Sequence, residues 1–151
     1  MVCLGNICRS PLAEGIMHDK ITKRGLPAEV DSAGTAAYHV GEPPDPRSRE
    51  IAAKRGIDIT HQRARKFEVA DFDRFDKIYA MDKFNYSDII HKARNENDKK
   101  KVEMIMATVH PTNTVDVPDP YYGGDRGFEK VYEMLDSSCE FIADMIEKKT
   151  S

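Results

Sequence analysis

The chain opens on Met1-Val2-Cys3-Leu4-Gly5-Asn6-Ile7-Cys8-Arg9-Ser10, and this stretch constrains everything behind it. A cysteine and an arginine bracket a short segment, Ser10 and Pro11 follow, and the next run has helical spacing. Gly5 and Asn6 tolerate positive φ, so the chain between Cys3 and Arg9 can curl with its amides turned inward. Inward amides at the start of a helix make an anion cradle. Arg9 adds a planar, permanently charged fork for oxyanions. Cys3 at the base of such a loop would lie in a positive field that favours the thiolate. Ser10 can donate a hydrogen bond to that sulfur and is also a candidate N-cap, with Pro11 at N1. On their own, two cysteines at this spacing also suit a redox pair, half a metal site or two buried apolar residues. The company they keep, Gly and Asn inside the loop and a helix behind it, favours the anion-binding reading.

The rest of the chain reads as one α/β domain over residues 1–151. Only Met1 and Val2 precede the loop, so the first strand is expected to be truncated at its N-terminal end. Leu12, Ala13, Ile16, Met17 and Ile21 predict a helix from Ser10 to about Arg24, stopped by Gly25. Glu29–Ala33 reads as a short strand. Thr35–Pro46, with Gly41, Pro43, Pro44 and Pro46, reads as a surface loop that can rim a site. Asp45 and Pro46 fit the N-cap and N1 of a helix ending at Gly56. Phe67–Phe75 predicts a helical turn or two. Lys77–Met81 reads as a buried strand, and Asp82 starts a helix through Ile89 and Ile90. Asn95–Lys101 reads as a solvated connection. Val102–Met106 reads as the last strand, and Gly127–Lys148 as a final helix with Cys139 on its core face. Alternating strands and helices imply a doubly wound parallel sheet of about four strands, with helices on both faces and ligands at the carboxyl ends of the strands.

Net charge −3, 40% hydrophobic and 32% charged residues describe a globular chain with no general affinity for nucleic acid. No apolar run approaches a membrane span, and no basic-then-apolar leader is visible. Three cysteines cannot all pair, which points to reactive thiols in a reducing cytoplasm. Histidines and cysteines are not spaced as a zinc set, so no metal and no other cofactor is expected.

Far from the loop, Asp119 is flanked by Pro118 and Pro120, which stiffen the backbone and remove competing donors. It is the preferred proton donor for a leaving group held by the loop, with Asp116 as its local rival. Tyr121 and Tyr122 follow directly and can line an aromatic slot. Leu4 reads as an apolar lip. Cys8 is near enough in sequence to reach Cys3, and a reversible Cys3–Cys8 disulfide that shields the nucleophile is expected.

Cys3-Leu4-Gly5-Asn6-Ile7-Cys8-Arg9-Ser10-Pro11 resembles the phosphate loop of the low-molecular-weight protein tyrosine phosphatases. The likeness extends through Asp31-Ser32-Ala33-Gly34, Asp45-Pro46-Arg47, Ala80-Met81-Asp82 and Val117-Pro118-Asp119-Pro120-Tyr121-Tyr122-Gly123. The resemblance implies hydrolysis of phosphotyrosine or small aryl phosphates through a phosphocysteine on Cys3. Loop residues Leu4 to Cys8 and Arg9 would hold the phosphoryl group, and Asp119 would act as acid and then base. It implies Tyr121 and Tyr38 as facing walls of the slot, and Asn6, Ser32 and His61 as the network supporting the loop. Inorganic phosphate and other oxyanions would then inhibit, and a monomer is favoured. Three rivals remain: an arsenate reductase, which needs further relay cysteines; a phosphoarginine phosphatase, in which Thr stands where this chain has Ile7; and a silent phosphopeptide-binding module, which would not need Asp119.

Overall fold

The computed structural model describes the backbone of residues 1–122 and 125–150 and the side chains of residues 1–121 and 127–150. Four strands, β1 (Val2–Cys3), β2 (Ala33–Gly34), β3 (Ile78–Ala80) and β4 (Val102–Met104), form one parallel sheet in the order β2-β1-β3-β4. Val2 pairs with Ala33 on one side and Ala80 on the other, which puts β1 in the middle. Successive strands leave β1 in opposite directions. The loops after β1 and β3 therefore diverge and open a crevice at the carboxyl edge of the sheet.

Helices α1 (Arg9–Arg24), α2 (Pro46–Lys54) and α6 (Asp125–Thr150) pack against one another on one face. Leu12, Ile16, Leu135, Cys139 and Ile142 meet there in the larger apolar cluster. On the other face, α3 (Asp71–Arg74) and α4 (Lys83–Lys92) enclose a smaller one, built on Val2, Phe67, Phe72, Ile78 and Ile89. Both sheet faces are covered, as a parallel sheet requires.

Local chemistry sets most of the boundaries. Gly25 ends α1 in the left-handed region at φ 61°, its N–H returning to Ile21 and Thr22. Asp45 caps α2 by accepting from Arg47 N at 2.8 Å, with Pro46 at N1. Asp82 caps α4 by accepting from Asn85 N at 2.8 Å.

Several expectations shift. Helix α1 begins at Arg9, Cys8 sits at the cap position without a side-chain bond, and Ser10 lies inside the first turn with its hydroxyl used elsewhere. The strand expected over Glu29–Ala33 pairs only at Ala33–Gly34, and that over Val102–Met106 turns into a 3-10 helix at Ile105–Thr108. In Phe67–Phe75 only Asp71–Arg74 is helical. The charged run Asn95–Lys101 is not a plain connection. Asn95 accepts from Asp98 N at 2.9 Å and starts helix α5 (Glu96–Lys101), while Asp98 is buried against Arg94. One ion pair and a cap order a segment whose composition alone suggests solvent. The final helix is longer at both ends than Gly127–Lys148.

Gly15 lies where α1 meets the segment after α2. A Cβ there would lie 2.4 Å from Ile59 Cγ2 and 3.2 Å from Ile57 Cγ2. Gly15→Ala is expected to overpack this seam at a cost of about 1–3 kcal/mol. A melting experiment should show Tm lower by roughly 2–4 °C per kcal/mol; an unchanged or raised Tm would show that the seam can relax.

Candidate active site

Cys3 ends β1, and the loop from Leu4 to Cys8 carries the chain into α1. Neighbouring segments hold the loop from outside. Cys3 O accepts from Thr35 N at 2.9 Å, Leu4 O from Ala36 N at 3.0 Å, Ile7 O from Asp45 N at 2.8 Å and Cys8 O from Ser48 Oγ at 3.3 Å. With these carbonyls engaged outward, the Asn6 amide points at Cys3 Sγ from 3.3 Å. Gly34 is pressed against the loop, and a Cβ there would come within 2.7 Å of Leu4 O.

Asn6 takes the strained turn at φ 58°, the one non-glycine with positive φ among the described residues. Its side chain is anchored at both ends. Nδ2 donates to Ser10 Oγ at 2.7 Å and Ser32 Oγ at 3.0 Å, and Oδ1 accepts from Arg65 N at 3.0 Å. Ser32 Oγ donates onward to Glu14 Oε1 at 2.7 Å. Burial pushes the Glu14 carboxyl up, against the bond from Ser32. Ser10 Oγ, having accepted from Asn6, lies 3.0 Å from Cys3 Sγ and 3.4 Å from Ala33 O. In the shorter contact either atom can donate, so the hydroxyl is within reach to donate to a Cys3 thiolate.

Arg9 is buried beside the sulfur. Its Nη1 donates to Asp82 Oδ2 at 2.6 Å and Val117 O at 3.0 Å, and its Nη2 lies 3.7 Å from Asp119 Oδ2. Burial opposes its charge, but Cys3, Asp82 and Asp119 outweigh that and hold its pKa above the ordinary arginine value. Asp119 is partly exposed and caps its own turn, Oδ1 accepting from Tyr121 N at 3.0 Å.

These groups meet in a cavity of about 180 Å³ lined by Cys3, Leu4, Gly5, Ile7, Cys8, Arg9, Tyr38, His39, Asp119 and Tyr121. Leu4 stands at the mouth, 41% exposed, with Tyr38 at 75% and Tyr121 at 43%. Asn6 and Ser32 lie behind the loop, joined by the Asn6 Nδ2 bond to Ser32 Oγ. The Tyr122 side chain lies outside the described residues. Asp116 is elsewhere, accepting from Lys83 N at 3.0 Å. His61 departs from expectation: it is exposed, and among the described residues it makes none of the hydrogen bonds of the Asn6–Ser10–Ser32 network. Glu14 and the Arg65 backbone fill that supporting role instead.

Sequence reasoning also missed Asp82 as the partner of Arg9. Its signal was a carboxylate directly after a buried strand, in the crevice where ligands bind. His39 on the cavity wall had no periodic or motif signal beyond its neighbour Tyr38. No group of three or more His, Cys, Asp or Glu among the described residues is placed to hold a metal. All three cysteines are free thiols.

A buried sulfur, an arginine fork and a carboxylate meet around one small cavity at the switch point of a parallel sheet, an arrangement suited to an oxyanion beside a nucleophile. Over residues 1–151 the sequence matches the family described as low molecular weight phosphotyrosine protein phosphatase, and the chain belongs to that family. A phosphatase of this description from Schizosaccharomyces pombe is 43% identical over 145 residues, covering 93% of this chain and 92% of the relative. The crystal structure of a protein tyrosine phosphatase from Entamoeba histolytica, with Hepes in its active site, superposes with a TM-score of 0.90. It is 38% identical, with coverage of 99% and 96%. A Drosophila arginine phosphatase also superposes, with a TM-score of 0.88, 31% identity and coverage of 95% and 94%.

The thiols differ in environment. Burial and the nearby Asp45 push the Cys8 thiol up to about 12, and burial does the same for Cys139. At neutral pH iodoacetate should therefore carboxymethylate Cys3, the cavity-lining sulfur beside Arg9, and spare Cys8 and Cys139; phosphate should protect. Peptide mapping that finds the label first on Cys8 would contradict this environment.

Proposed function

We propose that this protein hydrolyses phosphotyrosine and small aryl phosphates in two steps. The observation that carries the reading is the convergence of Cys3, Arg9 and Asp119 on one cavity, with Arg9 and Asp119 3.7 Å apart. In the first step the Cys3 thiolate attacks phosphorus in line and forms an S–P bond. The ester P–O bond breaks, and Asp119 gives its proton to the leaving oxygen. Arg9 and the loop amides from Leu4 to Cys8 hold the equatorial oxygens, where charge must be neutralised. In the second step Asp119, now a carboxylate, takes a proton from water, which attacks the phosphocysteine and releases phosphate. Ser10, its hydroxyl 3.0 Å from the sulfur, donates to the thiolate and stabilises it as it is expelled.

Leu4, Ile7, Tyr38 and Tyr121 make an apolar and aromatic mouth suited to a flat ring, which supports an aryl substrate over a flexible guanidine. Tyr122 is assigned the same mouth by its place in the sequence. No cofactor enters this scheme, and inorganic phosphate and other oxyanions should inhibit. Three free thiols support a reducing, cytoplasmic setting, and no helix among the described residues is long and apolar enough to cross a membrane. Under peroxide, Cys3 sulfenic acid and the Cys8 thiol can condense to a disulfide with loss of water, a reversible protection of the nucleophile.

Parallel assays on phosphotyrosine, phosphoarginine and arsenate should rank phosphotyrosine first, and Cys3→Ser should abolish turnover. Asp119→Ala should slow phenyl phosphate by about 10²–10⁴-fold while phosphate still binds. Preferred turnover of phosphoarginine, or parent-like rates in Asp119→Ala, would overturn the assignment.

A further inference from the structure

The start of α2 touches both halves of the site, yet contributes nothing to the cavity wall. Asp45 N and Ser48 Oγ donate to the loop carbonyls of Ile7 and Cys8. Between them, Arg47 reaches across to the segment that carries Asp119. Its Nη2 donates to Tyr121 O at 3.2 Å, and its guanidinium lies 5.5 Å from the Tyr121 ring centre and 4.8 Å from that of Phe128. Asp45 holds the other edge, Oδ1 accepting from Arg47 Nε at 3.1 Å and Oδ2 from Nη2 at 3.3 Å. Tyr121 in turn donates its N–H to Asp119 Oδ1 at 3.0 Å.

We propose that Arg47 is a positioning residue for the general acid: it fixes the Asp119–Tyr121 turn at a set distance from the phosphate loop. The inference rests on the acid role assigned to Asp119 above. Its physical basis is the planar fork of arginine, which can bond a carboxylate and a carbonyl while stacking on two rings. Asp119 otherwise sits on an irregular segment between Val117 and the 3-10 turn at Pro120–Tyr122. The helix N-terminus that braces the nucleophile loop thus also braces the acid. Tyr121, a wall of the cavity, is set by the same clamp. A misplacement of about 1 Å in a catalytic group can cost on the order of 10²-fold, so the clamp should be visible in rates.

The test compares kcat/KM, which reports the first step, for p-nitrophenyl phosphate and phenyl phosphate. The nitrophenolate leaves without much help from an acid; the phenolate needs one. In Arg47→Ala, phenyl phosphate should lose at least about tenfold more than p-nitrophenyl phosphate, while the inhibition constant for inorganic phosphate stays near the parent's. Arg47→Lys keeps a charge without the fork, and guards against a poorly folded alanine variant; its ratio should move the same way by a smaller factor. Adding Arg47→Ala to Asp119→Ala should cost no further ratio change, because the acid that Arg47 positions is already gone. A parent-like ratio in both Arg47 variants, with Asp119→Ala alone shifting it, overturns the positioning role and leaves the acid role standing. A parent-like ratio in Asp119→Ala itself overturns both.

Discussion

The whole site depends on one buried positive charge. Arg9 is nearly sealed from solvent, and a guanidinium in that position survives only because it is paired and hydrogen-bonded. Asp82 and the Val117 carbonyl take one of its nitrogens and Asp119 faces the other. Those partners come from three places in the chain: the end of β3, the segment leading to the acid, and the acid itself. The charge therefore organises the crevice as much as it serves a ligand. An isolated arginine there would be expelled, and an isolated Asp82 would be a half-buried carboxylate against the end of the sheet.

Around that charge the fold supplies rigidity by tying down the backbone of the loop. The φ 58° turn at Asn6 costs energy that its side chain offsets through Ser10, Ser32 and the Arg65 amide. The segment around β2, the Arg65 amide and the start of α2 each contribute a contact to the same few loop residues. A site held this way needs little rearrangement when a tetrahedral anion enters, which is what electrostatic catalysis requires.

Much of this was legible in the residue order. Cys3, Arg9 and Ser10 were readable because an anion loop needs its residues in one local run, and Asp119 because two prolines isolate it. The parallel, helix-covered sheet followed from alternation of apolar runs with helical ones. What escaped is what the chain brings together over long separations. Asp82 is 73 residues from Arg9 in sequence, and Arg65 is 59 from Asn6. Arg65 acts through its backbone, and a backbone partner leaves no trace in residue type. His61 was assigned a support role that Glu14 holds, since nothing local distinguishes an exposed histidine from a buried one. Asn95–Lys101 was read by composition, whereas an N-cap and the Arg94–Asp98 pair decide its structure.

The most direct test is to trap the covalent intermediate. Rapid acid quench of the protein during turnover of p-nitrophenyl phosphate, followed by mass spectrometry of the N-terminal peptide, should find a phosphoryl group on Cys3. Its accumulation should rise in Asp119→Ala, where the water-activating base is lost. A phosphoryl group on any other residue, or turnover with Cys3 unmodified throughout, would contradict the central claim that this sulfur is the nucleophile.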